Sequence, residues 1–342
     1  MYISGTPNVS RTLIVHVGPP KTGTTTFQKE LIQGKKFLSD NGVSLAMDHI
    51  KSGAYIAYTI FSKFSSNTPI DYTFVDQRKC DFYIRQLSAS SPISLISSEI
   101  FSLWNLEAWT WFLQRVNFER LIVVVVHRNP LSQMRSAYSQ IQRESVLKGK
   151  SKYISPFFPL YFEKNKSPFV EPVSLLETLK QLEVEIVGVS FETLLEQHMT
   201  LGEFVICNVT LQNLKWNDCR HDWLHATHQK TQRIFLNKGF SPVIWDIFSF
   251  ANKIATIRNC TKFWPNGNEL IYRLNKLNKH LPLIEMDMSH LLQQQTNEWF
   301  RRTKAIPPSG ESVKDIVPIL DEMAITHSQQ ELILATLGAE CN

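Results

Sequence analysis

The sequence lacks a long apolar run. No stretch approaches the roughly 18 apolar residues that a membrane-spanning helix needs. The first residues also lack a basic region followed by an apolar segment, which a secretory signal peptide would show. These absences predict a soluble, cytoplasmic protein with no membrane span in this chain. The Golgi lumen is the alternative if an N-terminal anchor is missing from the chain.

Paired cysteine motifs are also absent. The chain has five cysteines, an odd number, at wide spacings and without a C-x-x-C motif: Cys80, Cys207, Cys219, Cys260 and Cys341. This pattern predicts mostly reduced thiols rather than a disulfide scaffold. His221, His225 and His228 near Cys219 have the spacing of metal ligands on one helix face. Without an H-E-x-x-H motif or a paired cysteine motif, we expect no metal site there.

No dense run of lysine and arginine occurs either. The net charge of +5 is spread along the 342 residues, which argues against a nucleic-acid partner and suits an anionic ligand. The chain is 43% hydrophobic and 11% aromatic, so it can bury a large core. We predict one domain over residues 1–342, and the oligomeric state stays open.

A strand followed by a Gly/Pro turn and a helix occupies residues 13–28. Backbone N–H groups of such a turn, together with the following helix dipole, favour an anion. In the nucleotide triphosphatase pattern G-x-x-x-x-G-K-[ST], the lysine follows the last glycine. Here Lys21 precedes Gly23, and three threonines follow that glycine. The turn is therefore suited to a phosphate-like group without the ATPase arrangement.

A second strand, 121–126, is an uninterrupted apolar run, β-branched from Ile122 onwards, that is typical of a buried parallel strand. It ends in His127, Arg128, Asn129 and Pro130, where an ATPase would present an acidic metal ligand. Pro130 predicts the start of a helix over about 131–147. Three hydroxyls share one face of that helix: Ser132, Ser136 and Ser139.

These two segments together resemble the sulfotransferases that use 3′-phosphoadenosine 5′-phosphosulfate (PAPS). The first resembles that family's 5′-phosphosulfate loop, formed here by Lys21, Thr22, Gly23, Thr24, Thr25 and Thr26. The second resembles its 3′-phosphate site, which implies roles for Arg128 and Ser136. The resemblance covers about the first 200 residues. It implies PAPS as co-substrate, 3′-phosphoadenosine 5′-phosphate (PAP) as product and no required metal.

Strands and helices alternate along the first part of the chain. This order predicts a three-layer α/β/α fold with a central parallel sheet and a mostly helical C-terminal part. The resemblance implies that the sheet carries a P-loop-like phosphosulfate-binding loop. We divide the chain into a cofactor-binding core at 11–200, a loop or lid at 148–172 and helices over 201–342. Lys21, Glu99 and Arg128 each follow a predicted strand. They are expected at the carboxyl edge of the sheet, where ligands bind.

Glu99 has two interpretations. As a general base, its carboxylate would take the proton of a hydroxyl or amine acceptor. As a structural residue, it would complement the dipole of a helix that Ser98 caps. Some carbohydrate and protein sulfotransferases use a glutamate base, so the resemblance implies catalytic roles for Glu99 and Lys21 and a carbohydrate acceptor. His16 is expected to be a packed, hydrogen-bonded core residue, and His127 is left open.

Other functions remain possible at this point. A small phenol or alcohol could be the acceptor instead of a glycan. A nucleotide or small-molecule kinase would also carry a phosphate loop after its first strand, but it would bind ATP and depend on magnesium. A non-catalytic anion-binding module would keep Lys21 and Arg128 without turnover.

Overall fold

The computed structural model describes residues 11–19, 22–46, 52–65, 72–88, 91–130, 132–133, 136–138, 172–227, 243–265, 267–287, 297–303 and 316–341. The chain divides into two compact units. One comprises Met1–Asn129, Pro168–Leu236 and Gln295–Ser309, and the other comprises Pro130–Ser167, Asn237–Gln294 and Gly310–Asn342. Each unit is described by itself. The organisation as one domain stays a prediction.

The first unit is built on a parallel sheet in the order β2-β3-β1-β4-β5. Its elements in chain order are β1 (Thr12–Val17), α1 (Thr24–Gln33), α2 (Lys35–Asp40), β2 (Val43–Leu45), α3 (Ser52–Phe64), a 3-10 turn (Tyr72–Phe74), α4 (Gln77–Leu87), β3 (Ile93–Ser97), a 3-10 helix (Glu99–Leu103), α5 (Leu106–Leu113), β4 (Arg120–His127), α6 (Pro172–Gln181), β5 (Glu185–Ser190), α7 (Phe191–Glu196), α8 (Leu201–Glu203), a π-helix (Phe204–Thr210) and α9 (Trp216–Ala226).

Side chains alternate across this sheet and fill one core on each face. Leu13 and Val15 of β1 point into the core that contains Trp109 and Trp299. Ile14 points into the opposite core, which contains Phe27 and Leu31 of α1. A period of two places successive strand residues on opposite faces, so both faces are covered by helices. The predicted three-layer α/β/α class with a central parallel sheet is confirmed.

The second unit carries two short antiparallel pairs among helices. Its elements are α10 (Val243–Ile257), β6 (Thr261–Lys262), α11 (Gly267–Asn278), β7 (Leu283–Asp287), β8 (Ile316–Leu320), a 3-10 turn (Glu322–Ala324), α12 (His327–Leu337) and β9 (Ala339–Glu340). β6 pairs with β9, and β7 pairs with β8. The prediction of a mostly helical C-terminal part does not hold at Ile316–Leu320, which form β8. Pairing with a distant strand outweighs a short apolar spacing that fits either structure.

Two predicted helices are interrupted. The helix predicted after the Gly/Pro turn ends at Gln33, and a second helix, α2, follows it after Gly34. Glycine has low helix propensity, which favours a break there. The helix expected from Ser98 begins as the short 3-10 helix Glu99–Leu103, and α5 follows after Asn105, whose side chain caps it.

The prediction of mostly reduced thiols is wrong. Cys207 is bonded to Cys219, Cys260 is bonded to Cys341, and Cys80 is a buried free thiol. The fold supplies what the spacing did not show, because Thr261–Lys262 pairs with Ala339–Glu340 and brings the residues beside both segments together. Within the described residues, no helix combines the length and apolar character that a bilayer crossing requires.

Candidate anion-binding site

Four neighbouring parallel strands end at one edge of the sheet in the first unit. His16 of β1 is paired with Ser97 of β3, and Val17 is paired with Val125 of β4. The chain leaves β1 towards β2 on one side, whereas β4 is followed by β5 on the other side. Ligands of parallel sheets bind where the connections diverge in this way. The geometry therefore marks the carboxyl ends of β1 and β4 as the candidate site.

The turn after β1 is held by its own threonines. Thr22 is fully buried, and its hydroxyl donates to the Pro19 carbonyl at 2.6 Å. The Thr24 hydroxyl, also buried, donates to the Gly18 carbonyl at 3.3 Å. Gly23 has a φ of 87° and precedes the first residue of α1. That left-handed conformation is costly for residues with a Cβ, which explains a glycine here.

The first turn of α1 presents donors without intrahelical acceptors. The Phe27 N–H bonds to the Gly23 carbonyl at 3.0 Å, so the N–H groups of Thr24, Thr25 and Thr26 lie ahead of the regular ladder. The side chains of Thr25 and Thr26 are exposed. This end of α1 is an anion-binding geometry. Lys21 lies outside the described residues, so its role in the turn stays a prediction.

The side chain of Phe191 connects this turn to Arg128. A Cβ placed on Gly23 would lie 3.2 Å from Phe191 Cε2, so the ring packs directly on the turn. The Arg128 guanidinium carbon lies 5.0 Å from the centroid of the same ring, which is a cation–π distance. Burial lowers the pKa of Arg128, and the nearby Glu192 carboxylate opposes that effect. Arginine has so high a pKa that it stays charged.

Glu192 fixes the backbone that carries Arg128. Its Oε1 accepts the Asn129 N–H at 2.9 Å, and its Oε2 accepts the Ser190 hydroxyl at 3.1 Å. Burial raises the pKa of Glu192, while the Asn129 N–H and the Arg128 charge act in the opposite direction. The ends of β4 and β5 are thereby tied together beside Arg128. Sequence reasoning missed both Phe191 and Glu192, whose only signal was their position after the strand at 184–190.

Glu99 also follows a strand at this edge. It is half-buried and begins the 3-10 helix, while the Ser98 hydroxyl accepts the Ile100 N–H at 3.3 Å. The Ser102 hydroxyl donates to the Glu99 carbonyl at 2.6 Å. The Ser98 cap is thus present on a much shorter helix than we predicted. The role of the Glu99 carboxylate as a base stays a prediction.

Ser136 belongs to the second unit and Arg128 to the first. Ser136 is helical and half-buried, and its pairing with Arg128 stays a prediction. His221 is exposed with its Nδ1 3.1 Å from Asp222 Oδ1, and His228 lies outside the described residues. No group of three His, Cys, Asp or Glu side chains suited to a metal occurs in the part of the chain that the structure describes. The predicted loop or lid at 148–172 falls outside it except for Pro172, where α6 begins.

Two histidines near the carboxyl ends of β1 and β4 are buried close to the candidate site. His16 is fully buried with Nδ1 2.8 Å from the Ser97 hydroxyl, which confirms a packed, hydrogen-bonded residue. His127 packs against Trp299 with ring centroids 4.6 Å apart. Burial lowers the pKa of each histidine to about 3. Both imidazoles are therefore neutral near pH 7.

No protein-family profile matches the chain, and no curated protein matches it. Among solved structures, it is similar to a sulfotransferase from Alicyclobacillus acidocaldarius. The identity is 13%, and the alignment covers 72% of this chain and 92% of that chain with a TM-score of 0.33. A similarity this distant carries no functional argument.

Proposed function

We propose that this protein is a sulfotransferase that uses PAPS and transfers its sulfuryl group to a hydroxyl acceptor, releasing PAP. The observation that carries the proposal is the packing of Phe191 on both Gly23 and Arg128. This packing supports a single site at the diverging strands β1 and β4, in which the N-terminus of α1 and the partly buried Arg128 would bind one ligand. PAPS carries anionic groups at both its 5′ and 3′ positions, which this pair of sites suits.

The side chains at the ends of β1 and β4 suit an anionic ligand better than a nucleotide bound with magnesium. β4 ends in His127 and Arg128, where a metal-binding ATPase would place an acidic residue. The residue after Gly23 is Thr24, and its hydroxyl is engaged with the Gly18 carbonyl. The position that holds the lysine of an ATPase loop is therefore occupied by a neutral side chain. These features favour the sulfotransferase over the kinase.

Each residue has a defined task in the proposed reaction. The N–H groups of Thr24 to Thr26 would hold the 5′-phosphosulfate, and Lys21 would stabilise the charge that develops on the leaving phosphate. Arg128 would fork onto the 3′-phosphate with charge-assisted hydrogen bonds, and Ser136 would add a hydroxyl. PAPS supplies an activated sulfuryl group when it is bound.

Glu99 would act as the base towards the acceptor. Its carboxylate would take the hydroxyl proton as that oxygen forms a bond to sulfur, while the bond from sulfur to the phosphate oxygen breaks. We propose a carbohydrate acceptor, by analogy with the glutamate bases of carbohydrate sulfotransferases. The proposal that the acceptor is a carbohydrate is independent of the proposal that PAPS is the sulfuryl donor.

The two disulfides bear on location. Disulfides persist in oxidising compartments and are rare in the cytosol. We therefore favour an oxidising compartment such as the Golgi lumen over the cytoplasm that the lack of a signal segment and of a long apolar run predicted. Thiol counting on active protein after denaturation without reductant tests this: one free thiol is expected, and five would contradict it.

The co-substrate can be tested by comparing how much PAP, and ATP plus magnesium, raise the melting temperature of the protein. A ligand at 100 times its Kd stabilises the native state by about 2.7 kcal/mol. We expect stabilisation by PAP, and turnover of labelled PAPS with a panel of glycans, phenols and amines. Lys21→Ala should abolish most turnover, whereas the control Lys29→Ala, on the exposed face of α1, should not. Stabilisation by ATP plus magnesium alone would indicate the kinase instead.

A further inference from the structure

His16 has one ring nitrogen that the core does not use. Its Nδ1 lies 2.8 Å from the Ser97 hydroxyl, while its Nε2 is buried with no hydrogen-bond partner among the described residues. The whole side chain is inaccessible to solvent, at 0% exposure. Buried polar atoms normally have a partner, and an unpaired one calls for an explanation.

The neighbours of Ser97 determine which nitrogen carries the proton. Gln28 Nε2 lies 3.3 Å from the Ser97 carbonyl and 3.4 Å from the Ser97 hydroxyl. Because a carbonyl only accepts, the amide nitrogen of Gln28 faces Ser97 and donates to it. The Ser97 hydroxyl accepts from Gln28, and because His16 Nδ1 is the only acceptor that the described residues offer its proton, we assign that proton to the bond with Nδ1. A neutral imidazole then carries its proton on Nε2.

That Nε2–H group faces the anion-binding turn. A Cβ placed on Gly18 would lie 3.0 Å from His16 Nε2, 2.8 Å from Thr22 Oγ1 and 2.7 Å from Thr24 Oγ1. Three polar atoms therefore converge on Gly18, a backbone position without a side chain. The two threonine hydroxyls already donate to turn carbonyls, whereas the imidazole N–H has no acceptor among the described residues. The unpaired donor points at the start of the turn that leads into α1.

We propose that His16 is a further ligand-binding residue of this turn, whose Nε2–H donates a hydrogen bond to an oxygen of the anion held at the N-terminus of α1. The neutral ring adds a donor without adding charge, and it does so over the whole neutral pH range. Ser97 and Gln28 are positioning residues, because they hold the ring in the tautomer with the proton on Nε2. The identity of the ligand as PAPS rests on the proposed function, whereas the anion site itself does not.

Three substitutions separate the two ring nitrogens. His16→Gln places an amide nitrogen near the position of Nε2, and His16→Asn places one near Nδ1. His16→Phe keeps the shape and removes both polar atoms. His225→Gln, on the exposed side of α9, is the matched control. Binding of PAP and of inorganic sulfate to the full chain is measured for each variant, together with the melting temperature without ligand.

We expect His16→Phe and His16→Asn to weaken both ligands by about tenfold or more, the usual scale of a hydrogen bond to a charged group. His16→Gln should stay within about threefold of the wild type, with unchanged melting temperature. A purely structural histidine would change melting temperature and leave affinity alone, or would be rescued by Asn rather than Gln. Equal affinity in wild type and His16→Phe would overturn the proposal.

A spectroscopic measurement decides the matter if His16→Phe does not fold. In wild-type protein with ¹⁵N-labelled histidine, we expect a protonated Nε2 on His16 whose resonance shifts when sulfate or PAP is added. A proton on Nδ1, or an Nε2–H resonance that ignores both ligands, would contradict the inference. Sulfate binding that depends on His16 without PAP binding would reject the proposed function and keep this site. PAP binding and turnover that stay unchanged in the His16 variants would reject this site and keep the proposed function. A wild type that binds neither ligand would reject both.

Discussion

Glu30 is a buried carboxyl on α1, the helix that follows the anion-binding turn, and it should make stability depend on pH. Its side chain is 1% exposed, and its Oε2 accepts the Thr200 hydroxyl at 3.1 Å. Glu203, also fully buried, lies nearby and is paired with Arg220 at 2.6 Å. Burial raises the pKa of Glu30 to about 8; the Thr200 hydrogen bond opposes this, and the Glu203 charge adds to it.

The sign of this pH dependence follows from how many protons the folded and the unfolded chain bind. The unfolded chain loses this proton near the ordinary pKa of 4.5, whereas the folded chain keeps it until about pH 8. Between these values the folded state binds more protons, so stability is fully present below about pH 4.5 and falls as the pH rises towards 8. One pKa unit corresponds to about 1.4 kcal/mol, so the whole interval amounts to about 5 kcal/mol.

Glu30→Gln should remove this dependence, because an amide keeps an acceptor for Thr200 and never ionises. Urea unfolding from pH 5 to pH 9, monitored by tryptophan fluorescence, would show the wild type losing about 1.4 kcal/mol per pH unit relative to the variant up to pH 8. Glu107→Gln, an exposed glutamate at the start of α5, is the control and should run parallel to the wild type. Parallel curves for wild type and Glu30→Gln would refute the reasoning.

Three further predictions concern the site and the disulfides. Glu99→Gln should lower kcat by roughly 10² to 10⁴, the usual contribution of a general base, while PAP affinity measured by calorimetry is unchanged; a wild-type rate would return Glu99 to a structural role. Arg128→Ala should weaken PAP more than adenosine 5′-phosphosulfate, which lacks the 3′-phosphate, and equal weakening in competition assays would show that Arg128 does not read that group. Cys260→Ser, which opens a link across 81 residues, should lower the free energy of unfolding by up to about 4.5 kcal/mol. Cys80→Ser is its control because Cys80 is unpaired. A Cys260→Ser variant with the melting temperature of the wild type would contradict a stabilising bond between Cys260 and Cys341.

The parts of the fold that were predictable are those with strong local signals. The apolar, largely β-branched run at 121–126 has one reading as a buried strand, and it is the centre of β4. The Gly/Pro turn before three threonines indicated the start of α1, which begins at Thr24. Short parallel strands alternating with helices left few alternatives to a covered sheet. In each case the information lies within about ten residues of the chain.

The parts that were missed depend on residues far apart in sequence. The bond between Cys260 and Cys341 requires the pairing of β6 with β9, and β8 requires β7 as its partner. Phe191 looks like an ordinary apolar residue at the start of a helix, and only the fold brings its ring onto Gly23 and Arg128. His16 reads as a core residue in its strand, and its unused nitrogen becomes visible only with Ser97 and Gln28 in place.

The ring of Phe191 packs against both Gly23 and Arg128, so the effects of substitutions at these two positions should depend on one another. A side chain added at Gly23 displaces the ring, and the ring then moves under Arg128, so changes at these two positions should show epistasis rather than additive effects. A residue with no polar group would thus influence the ligand preference of the proposed site. Directed evolution of the donor site should accumulate substitutions at Phe191 before it tolerates any at Gly23.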